Sequence, residues 1–154
     1  MKILFISDVV GRTGRDIVKS QLQKIKKDNN IDFVIANGEN SAHGSGITEK
    51  IFQELIDSGI DIVTSGNHIF KKKKAIEIVE KIGLNLIIPA NYPEKLQANR
   101  KAEKIVNGNK IVVINFMGRV FMKEGLDCPF QKLDEMLKNI SENSIIIVDF
   151  HAEV

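Results

Sequence analysis

The sequence predicts an α/β fold in which most strands of the first sheet run parallel. Short apolar runs of strand length alternate with segments whose apolar residues recur at helical spacing. A strand, a helix and a second strand at this spacing require a crossover connection, and crossovers join parallel strands. A third observation comes from the second half of the chain, where a glycine-containing tip between two alternating apolar runs predicts a β-hairpin.

Four strands are predicted in the first half of the chain. Each is a short apolar run bounded by polar residues or by proline, and they span Lys2 to Ile6, Asp32 to Ala36, Asp61 to Ser65 and Asn85 to Ile88.

Three helices are predicted between and after these strands. The first, Asp16 to Lys27, follows a turn at Gly11 to Arg15 and places Ile17, Leu22 and Ile25 on one face. The second spans Thr48 to Ser58, with Gly59 at its end, and turns four apolar residues inward, namely Ile51, Phe52, Leu55 and Ile56. The third spans Lys73 to Lys81.

The second half of the chain predicts the start of a second sheet. The hairpin pairs Ala102 to Val106 with Lys110 to Phe116 around the tip Asn107 to Asn109. A helix from Pro129 to Asn139 follows, since proline suits a first helical turn. The strand Ser144 to Phe150 comes last. No linker, repeat or low-complexity tract interrupts residues 1–154, so a single domain is expected.

Composition narrows the class of protein. Hydrophobic residues make up 43% of the chain and charged residues 27%, which is typical of a soluble globular protein. The net charge of +2 gives no electrostatic reason to expect a membrane or a nucleic-acid duplex as partner. Cys128 is the only cysteine, which excludes an internal disulfide, and no signal peptide is recognisable. A cytoplasmic location is expected.

Chemically capable side chains follow the ends of four strands. Asp8 follows the first strand, Glu39 and Asn40 the second, Asn67 and His68 the third, and His151 the last. Ligands of open α/β sheets gather at the carboxyl ends of strands, so these groups are expected to meet at one edge.

Each of these residues also has a structural explanation when it is taken alone. Asp8 could cap a turn or a helix, and Glu39 and Asn40 could form a solvated turn. A hydrogen-bonded imidazole would account for His68, and a core position or a frayed terminus for His151. The turn at Gly11 to Arg15 is interpreted as a plain loop rather than a phosphate cradle. The four strand ends together favour a site.

The combination predicts a two-metal phosphoesterase site. Two divalent ions roughly 3.5 to 4 Å apart can clamp a phosphoryl group and hold a bridging hydroxide. Glu39 is the candidate to bridge both ions and Asp8 to bind one, while Asn40 and Asn67 add neutral oxygens that leave net positive charge for a phosphate ester. Such mixed oxygen and imidazole ligands suit iron, manganese or zinc. His68 is the candidate general acid.

Six motifs in this order resemble those of the calcineurin-like metallophosphoesterases, and more narrowly the bacterial YmdB-type subfamily. They are Ser7 to Gly11, Asn37 to Gly44, Gly66 to His68, Pro89 to Pro93, Gly118 to Phe121 and Asp149 to Glu153. The resemblance implies a two-sheet α/β sandwich, two divalent metal ions, a phosphodiesterase acting on 2′,3′-cyclic nucleotides, and homo-oligomers. It also implies that Asp8 and Asn40 bind the first ion, that Glu39 bridges, that Asn67 and His151 bind the second, and that His68 donates the proton.

The family pattern continues past the position of Val154 with a Gly-Thr-His-x-His segment, whose histidines complete the metal shells. The chain is therefore expected to correspond to the N-terminal part of such a domain, truncated at its C-terminal side. Two alternatives to a stand-alone enzyme follow. The chain is an inactive remnant, or it is half of a split enzyme whose partner chain, or a second copy, completes the site. A nucleotide-binding module using Gly11 to Arg15 is weakly supported, because no G-x-G-x-x-G fingerprint is present.

Overall fold

Two three-stranded sheets stacked face to face form the centre of the molecule. A computed structural model of the chain describes residues 1–71, 77, 79, 83–93, 98–122 and 125–152. The first sheet contains β1 (Ile3–Ile6), β2 (Phe33–Asn37) and β3 (Ile62–Thr64), all parallel and in that order. The second sheet contains β4 (Lys101–Val106), β5 (Asn109–Met117) and β6 (Ile145–His151). Its β4 and β5 are antiparallel, and β6 runs parallel to β5.

Helices cover the outer faces of the two sheets. Helices α1 (Gly11–Asn29) and α2 (Glu49–Asp57) pack on the first sheet through Leu22 and Leu55. Helix α3 (Pro129–Leu137) packs on the second sheet through Leu133. Between the sheets, Phe33, Ile35 and Ile62 meet Ile111 and Val113. The arrangement confirms the predicted two-sheet α/β sandwich with a parallel first sheet, a hairpin and the start of a second sheet.

The hairpin and the second helix form where the sequence predicted them, for identifiable reasons. Asn107 and Gly108 both have positive φ angles, 49° and 77°, which a two-residue turn between twisted strands requires. Thr48 caps α2 by accepting a hydrogen bond from the Ile51 backbone N–H at 3.3 Å. Within the described residues, no helix is long and apolar enough to cross a bilayer.

The first helix differs from its prediction in two ways. It begins at Gly11, so the predicted loop at Gly11 to Arg15 is wrong: these residues form the first helical turn. Arg15 is tied down there, because its guanidinium donates to Glu54 at 3.2 Å and to the Ser41 carbonyl. The buried face carries Val18 and Leu22, whereas Ile17 is exposed. Residues five positions apart diverge by about 140° around a helix, so Ile17 and Leu22 do not share a face.

The predicted fourth strand is reduced to one parallel bridge, between Leu86 and Val63. A 3-10 turn, Gly83–Asn85, occupies the start of the predicted segment, and Pro89 ends it. Little extended chain is left between the turn and the proline to pair with β3. The predicted helix from Lys73 to Lys81 falls largely outside the described residues, as does Glu153.

Leu22 provides a test of the packing on the first sheet. Its side chain is 1% exposed, so Leu22→Ala should lower the free energy of unfolding by about 2 to 5 kcal/mol. Ile17→Ala on the same helix, at 59% exposure, should change it by no more than about 0.5 kcal/mol. Urea denaturation of both variants measures the difference. Equal losses would contradict the assignment of the buried face.

Candidate metal centre

Five of the six predicted site residues meet through direct contacts at one edge of the molecule. Asp8 follows β1, and Glu39 and Asn40 follow β2. His68 lies in a 3-10 turn, Asn67–Lys71, that comes shortly after β3, and His151 is the last residue of β6. Three neighbouring parallel strands deliver their carboxyl ends to the same edge, and β6 reaches it from the second sheet.

The Asn40 amide lies at the middle of the cluster. Its Nδ2 donates to both carboxylate oxygens of Asp8, at 2.9 and 3.0 Å, and approaches Oε1 of Glu39 at 3.4 Å. Its Oδ1 lies 2.5 Å from Nδ1 of His68. Since an amide oxygen only accepts, His68 carries its proton on Nδ1 in this arrangement.

Glu39 is a buried carboxylate with an incomplete set of partners. It is 2% exposed, and within the described part of the chain its Oε2 has no hydrogen-bond partner. Its Oε1 lies 3.5 Å from Nε2 of His151. Burial raises the pKa of Glu39, and the Asp8 and Asp149 carboxylates raise it further, while His151 and the His68 backbone N–H act in the opposite direction.

Gly66 makes room for the Glu39 carboxylate. A Cβ at position 66 would overlap Oε2 of Glu39, and it would lie 2.6 Å from Cδ of Glu39 and 3.2 Å from Cγ of His151. The φ angle of Gly66 is outside the left-handed region, so the available space rather than the conformation excludes a side chain there. The glycine and the carboxylate therefore fit each other closely.

Asn67 reaches the same edge through its chain neighbours Gly66 and His68, and its side chain is half-buried. Within the described residues, no three His, Cys, Asp or Glu side chains come together as a set that could hold a metal ion. The candidate metal ligands are instead two carboxylates, one imidazole and two asparagine amides. The roles of Asp8, Glu39, Asn40, Asn67 and His151 as metal ligands stay predictions.

The donor chemistry at this edge fits a divalent cation. A buried carboxylate oxygen without a donor is costly, and a bound cation is one of the few groups that can satisfy it. The Asn40 Nδ2 group already lies between the Asp8 and Glu39 carboxylates, where positive charge is favoured. The geometry therefore suits a cation held between the carboxylates.

Comparison with known proteins identifies the family. The sequence profile of YmdB-like proteins matches residues 4–154. The chain belongs to the YmdB-like family. This match confirms the resemblance seen in the six motifs.

Relatives of the YmdB-like chain include two proteins named for phosphoester chemistry. It is 45% identical over 154 residues to a 2′,3′-cyclic-nucleotide 2′-phosphodiesterase of Bacillus subtilis, covering 99% of this chain and 58% of that protein. It is 33% identical over 159 residues to a putative phosphatase/phosphodiesterase of Mycoplasma genitalium, covering 99% of this chain and 56% of that protein. The YmdB-like chain thus spans somewhat more than half the length of these relatives.

Two solved structures have the same fold. A hypothetical protein of Thermus thermophilus matches with a TM-score of 0.91 and 34% identity, over 100% of this chain and 59% of that one. A novel phosphatase of Mycoplasma pneumoniae matches with a TM-score of 0.90 and 32% identity, over 100% of this chain and 56% of that one. The whole YmdB-like chain therefore has the fold of the matching part of these two structures.

A set of buried polar residues beneath the cluster had no predicted role. Asn37, Thr64 and Asn115 are at most 5% exposed and lie at the ends or inside of strongly apolar strands. They hydrogen-bond Asp149, the residue two positions before His151. A polar residue within an otherwise apolar strand is the sequence signal that could have drawn attention to them.

Proposed function

We propose that the protein is a metal-dependent phosphodiesterase that hydrolyses 2′,3′-cyclic nucleotides at a site for two divalent ions, iron or manganese in preference to zinc. The observation that supports this most strongly is the buried Glu39 carboxylate, whose Oε2 lacks a donor within the described residues and which lies between Asn40 and His151. The similarity to the Bacillus subtilis phosphodiesterase supports the substrate class.

The residues that would hold the ions are Asp8, Glu39, Asn40, Asn67 and His151. When bound, two such ions would supply a bridging hydroxide as nucleophile and positive charge for the phosphate. Glu39 lies between Asn40, a candidate ligand of the first ion, and His151, a candidate ligand of the second, which supports a bridging role for its carboxylate. The net charge of Asp8 and Glu39 leaves such a site positive, and a phosphodiester anion is attracted to it.

His68 is proposed as the general acid. The contact of 2.5 Å between Nδ1 of His68 and Oδ1 of Asn40 holds the imidazole beside the candidate metal ligands, which supports this role. Opening a 2′,3′-cyclic phosphate expels a ribose alkoxide, a poor leaving group that needs a proton. The role of His68 is therefore to donate that proton as the bond breaks.

Turnover of two substrates tests the proposal. The purified chain, loaded with manganese or iron, should hydrolyse both bis-p-nitrophenyl phosphate and 2′,3′-cyclic AMP, and the metal content should be measured by elemental analysis. The absence of bound metal and of turnover at every metal concentration would contradict a stand-alone enzyme. Activity that appears only when the remaining part of the Bacillus subtilis relative is added as a separate chain would favour the split enzyme.

The two substrates also separate the role of His68 from that of the metal ligands. His68→Ala should slow hydrolysis of 2′,3′-cyclic AMP by about 10²- to 10⁴-fold, which is the usual contribution of a general acid. Its effect on bis-p-nitrophenyl phosphate should be much smaller, because p-nitrophenolate leaves without a proton. His43→Asn is the matched control, since His43 is exposed and asparagine tolerates its φ of 59°. Equal losses on both substrates would contradict the acid role.

A further inference from the structure

Asp149 joins the two sheets through one carboxylate oxygen. It lies on β6, in the second sheet, and its Oδ2 accepts hydrogen bonds from two residues of the first. Asn37, the last residue of β2, donates through Nδ2 at 3.0 Å, and Thr64, the last residue of β3, donates through its hydroxyl at 2.5 Å. Both donors are buried, at 5% and 0% exposure. The carboxylate thus connects the ends of three strands.

The Asn37 amide carries this connection to Glu39. While its Nδ2 donates to Asp149, its Oδ1 accepts the Glu39 backbone N–H at 3.1 Å. The orientation of the amide is fixed by these partners, because a flipped amide would set two donors or two acceptors against each other. Asp149 therefore holds the turn from which the Glu39 side chain projects.

The backbone of β6 links Asp149 to His151. Residues two apart on a strand share a face, so Asp149 and His151 both face the first sheet. Asn115, on the neighbouring strand, adds a hydrogen bond from its Nδ2 to the Asp149 carbonyl at 3.2 Å and accepts the Ser65 backbone N–H at 3.3 Å. Hydrogen bonds that involve Asp149 or its neighbours on β6 thus hold both residues of the contact between Glu39 and His151.

We infer that Asp149 is a positioning residue for the candidate metal centre, which sets the placement of His151 against Glu39 by accepting hydrogen bonds from Asn37 and Thr64. Its relevance to metal binding rests on the proposed function, whereas its effect on the placement of the two side chains does not. The hydrogen-bond acceptor carries the role, rather than the negative charge. Asparagine in its place presents the same oxygen to the same two donors, while alanine presents none.

The imidazole signals of the metal-free chain test the placement directly. The chain has three histidines, and long-range ¹H–¹⁵N spectra resolve their ring nitrogens. Asp149→Ala should shift the His151 signals, whereas Asp149→Asn should leave them close to those of the wild type. His43, exposed in the loop after β2, should stay unchanged in both variants and serves as the internal control.

Three results are informative in this comparison. His151 signals of Asp149→Ala that coincide with those of the wild type would overturn the inference, even if Asp149→Ala melts at a lower temperature, because a merely structural role predicts that pattern. Equal shifts in both variants would also overturn it, because the charge would then be responsible. If Asp149→Ala does not fold, Thr64→Val removes one donor with little change of shape and should shift His151 in the same way. A Thr64→Val spectrum identical to the wild type would then overturn the inference.

Manganese binding provides a second test of the positioning role of Asp149 that does not depend on turnover. Electron paramagnetic resonance titration should show affinity for Mn²⁺ reduced by about 10- to 100-fold in Asp149→Ala, as is usual for groups that orient metal ligands, and retained in Asp149→Asn. If the wild-type chain binds no manganese, the proposed function fails, while the imidazole spectra still decide the positioning role.

Discussion

Gly66→Ala should strongly weaken metal binding and phosphodiester hydrolysis in a chain that still folds. The new Cβ would overlap Oε2 of Glu39, so the carboxylate must leave its place between Asn40 and His151. A displacement of about 1 Å in a catalytic group can cost on the order of 10²-fold in rate, and here the displaced group is the candidate bridging ligand. We therefore expect a loss of at least about 10²-fold in turnover.

Gly125→Ala is the matched control for this substitution. A Cβ at position 125 would meet nothing within 4 Å, and the φ of Gly125 is not in the left-handed region. The two variants differ in what the added methyl group meets, so bis-p-nitrophenyl phosphate hydrolysis and manganese titration should separate them. Wild-type metal affinity in Gly66→Ala would show that the fit between glycine and carboxylate has no functional meaning.

Glu39→Gln should have opposite effects on the stability of the metal-free and the metal-loaded chain. The pKa of Glu39 is raised above its ordinary value of 4.5, chiefly by burial. The folded state therefore binds more protons than the unfolded state between these two values. The contribution of Glu39 to the stability of the metal-free chain is therefore greatest below pH 4.5 and falls as the pH rises through the raised pKa.

Glutamine cannot ionise, so Glu39→Gln should remove this fall and stabilise the metal-free chain at neutral pH by about 1 to 3 kcal/mol. Manganese at about 100 times its dissociation constant should stabilise the wild type by about 2.7 kcal/mol and the variant hardly at all. Thermal unfolding with EDTA and with manganese, at pH 4 and pH 7, measures both effects.

The control for this substitution is Glu142→Gln, which lies at an exposed position and should behave like the wild type. A metal-dependent stabilisation of Glu39→Gln equal to that of the wild type would remove Glu39 from the site.

The sequence was sufficient to predict the fold where local rules determine it. Alternating apolar runs predicted both sheets, and the positive φ angles of Asn107 and Gly108 follow from the turn that the hairpin needs. It was insufficient where burial depends on tertiary context. Nothing in the local pattern around Leu86 shows that a 3-10 turn would leave only one bridge to β3. The burial of Val18 in place of Ile17 likewise depends on where the sheet lies.

For the candidate site, too, the sequence predicted some features and missed those that depend on tertiary contacts. Strand ends predicted that Asp8, Glu39, Asn40, His68 and His151 would gather, because parallel strands end at a common edge, and the contacts around Asn40 and Glu39 bear this out. Their ligand roles remain predictions. The contact between Asp149 and Thr64 joins residues 85 positions apart, and the approach of Gly66 to Glu39 requires two separate loops to lie close enough to touch. Such contacts depend on how the two sheets stack, which no local pattern specifies.

The position of β6 affects how long the assembled site persists. Among the described strands, β6 lies at one edge of its sheet, and Ile146, Val148 and Phe150 on its outer face are 37%, 39% and 45% exposed. Strands with few buried contacts open locally at a lower free energy than central ones. His151 lies at the end of this strand, so amide hydrogen exchange there should be faster than in β2. The lifetime of the contact between Glu39 and His151 would then be set by local opening of β6 rather than by global unfolding.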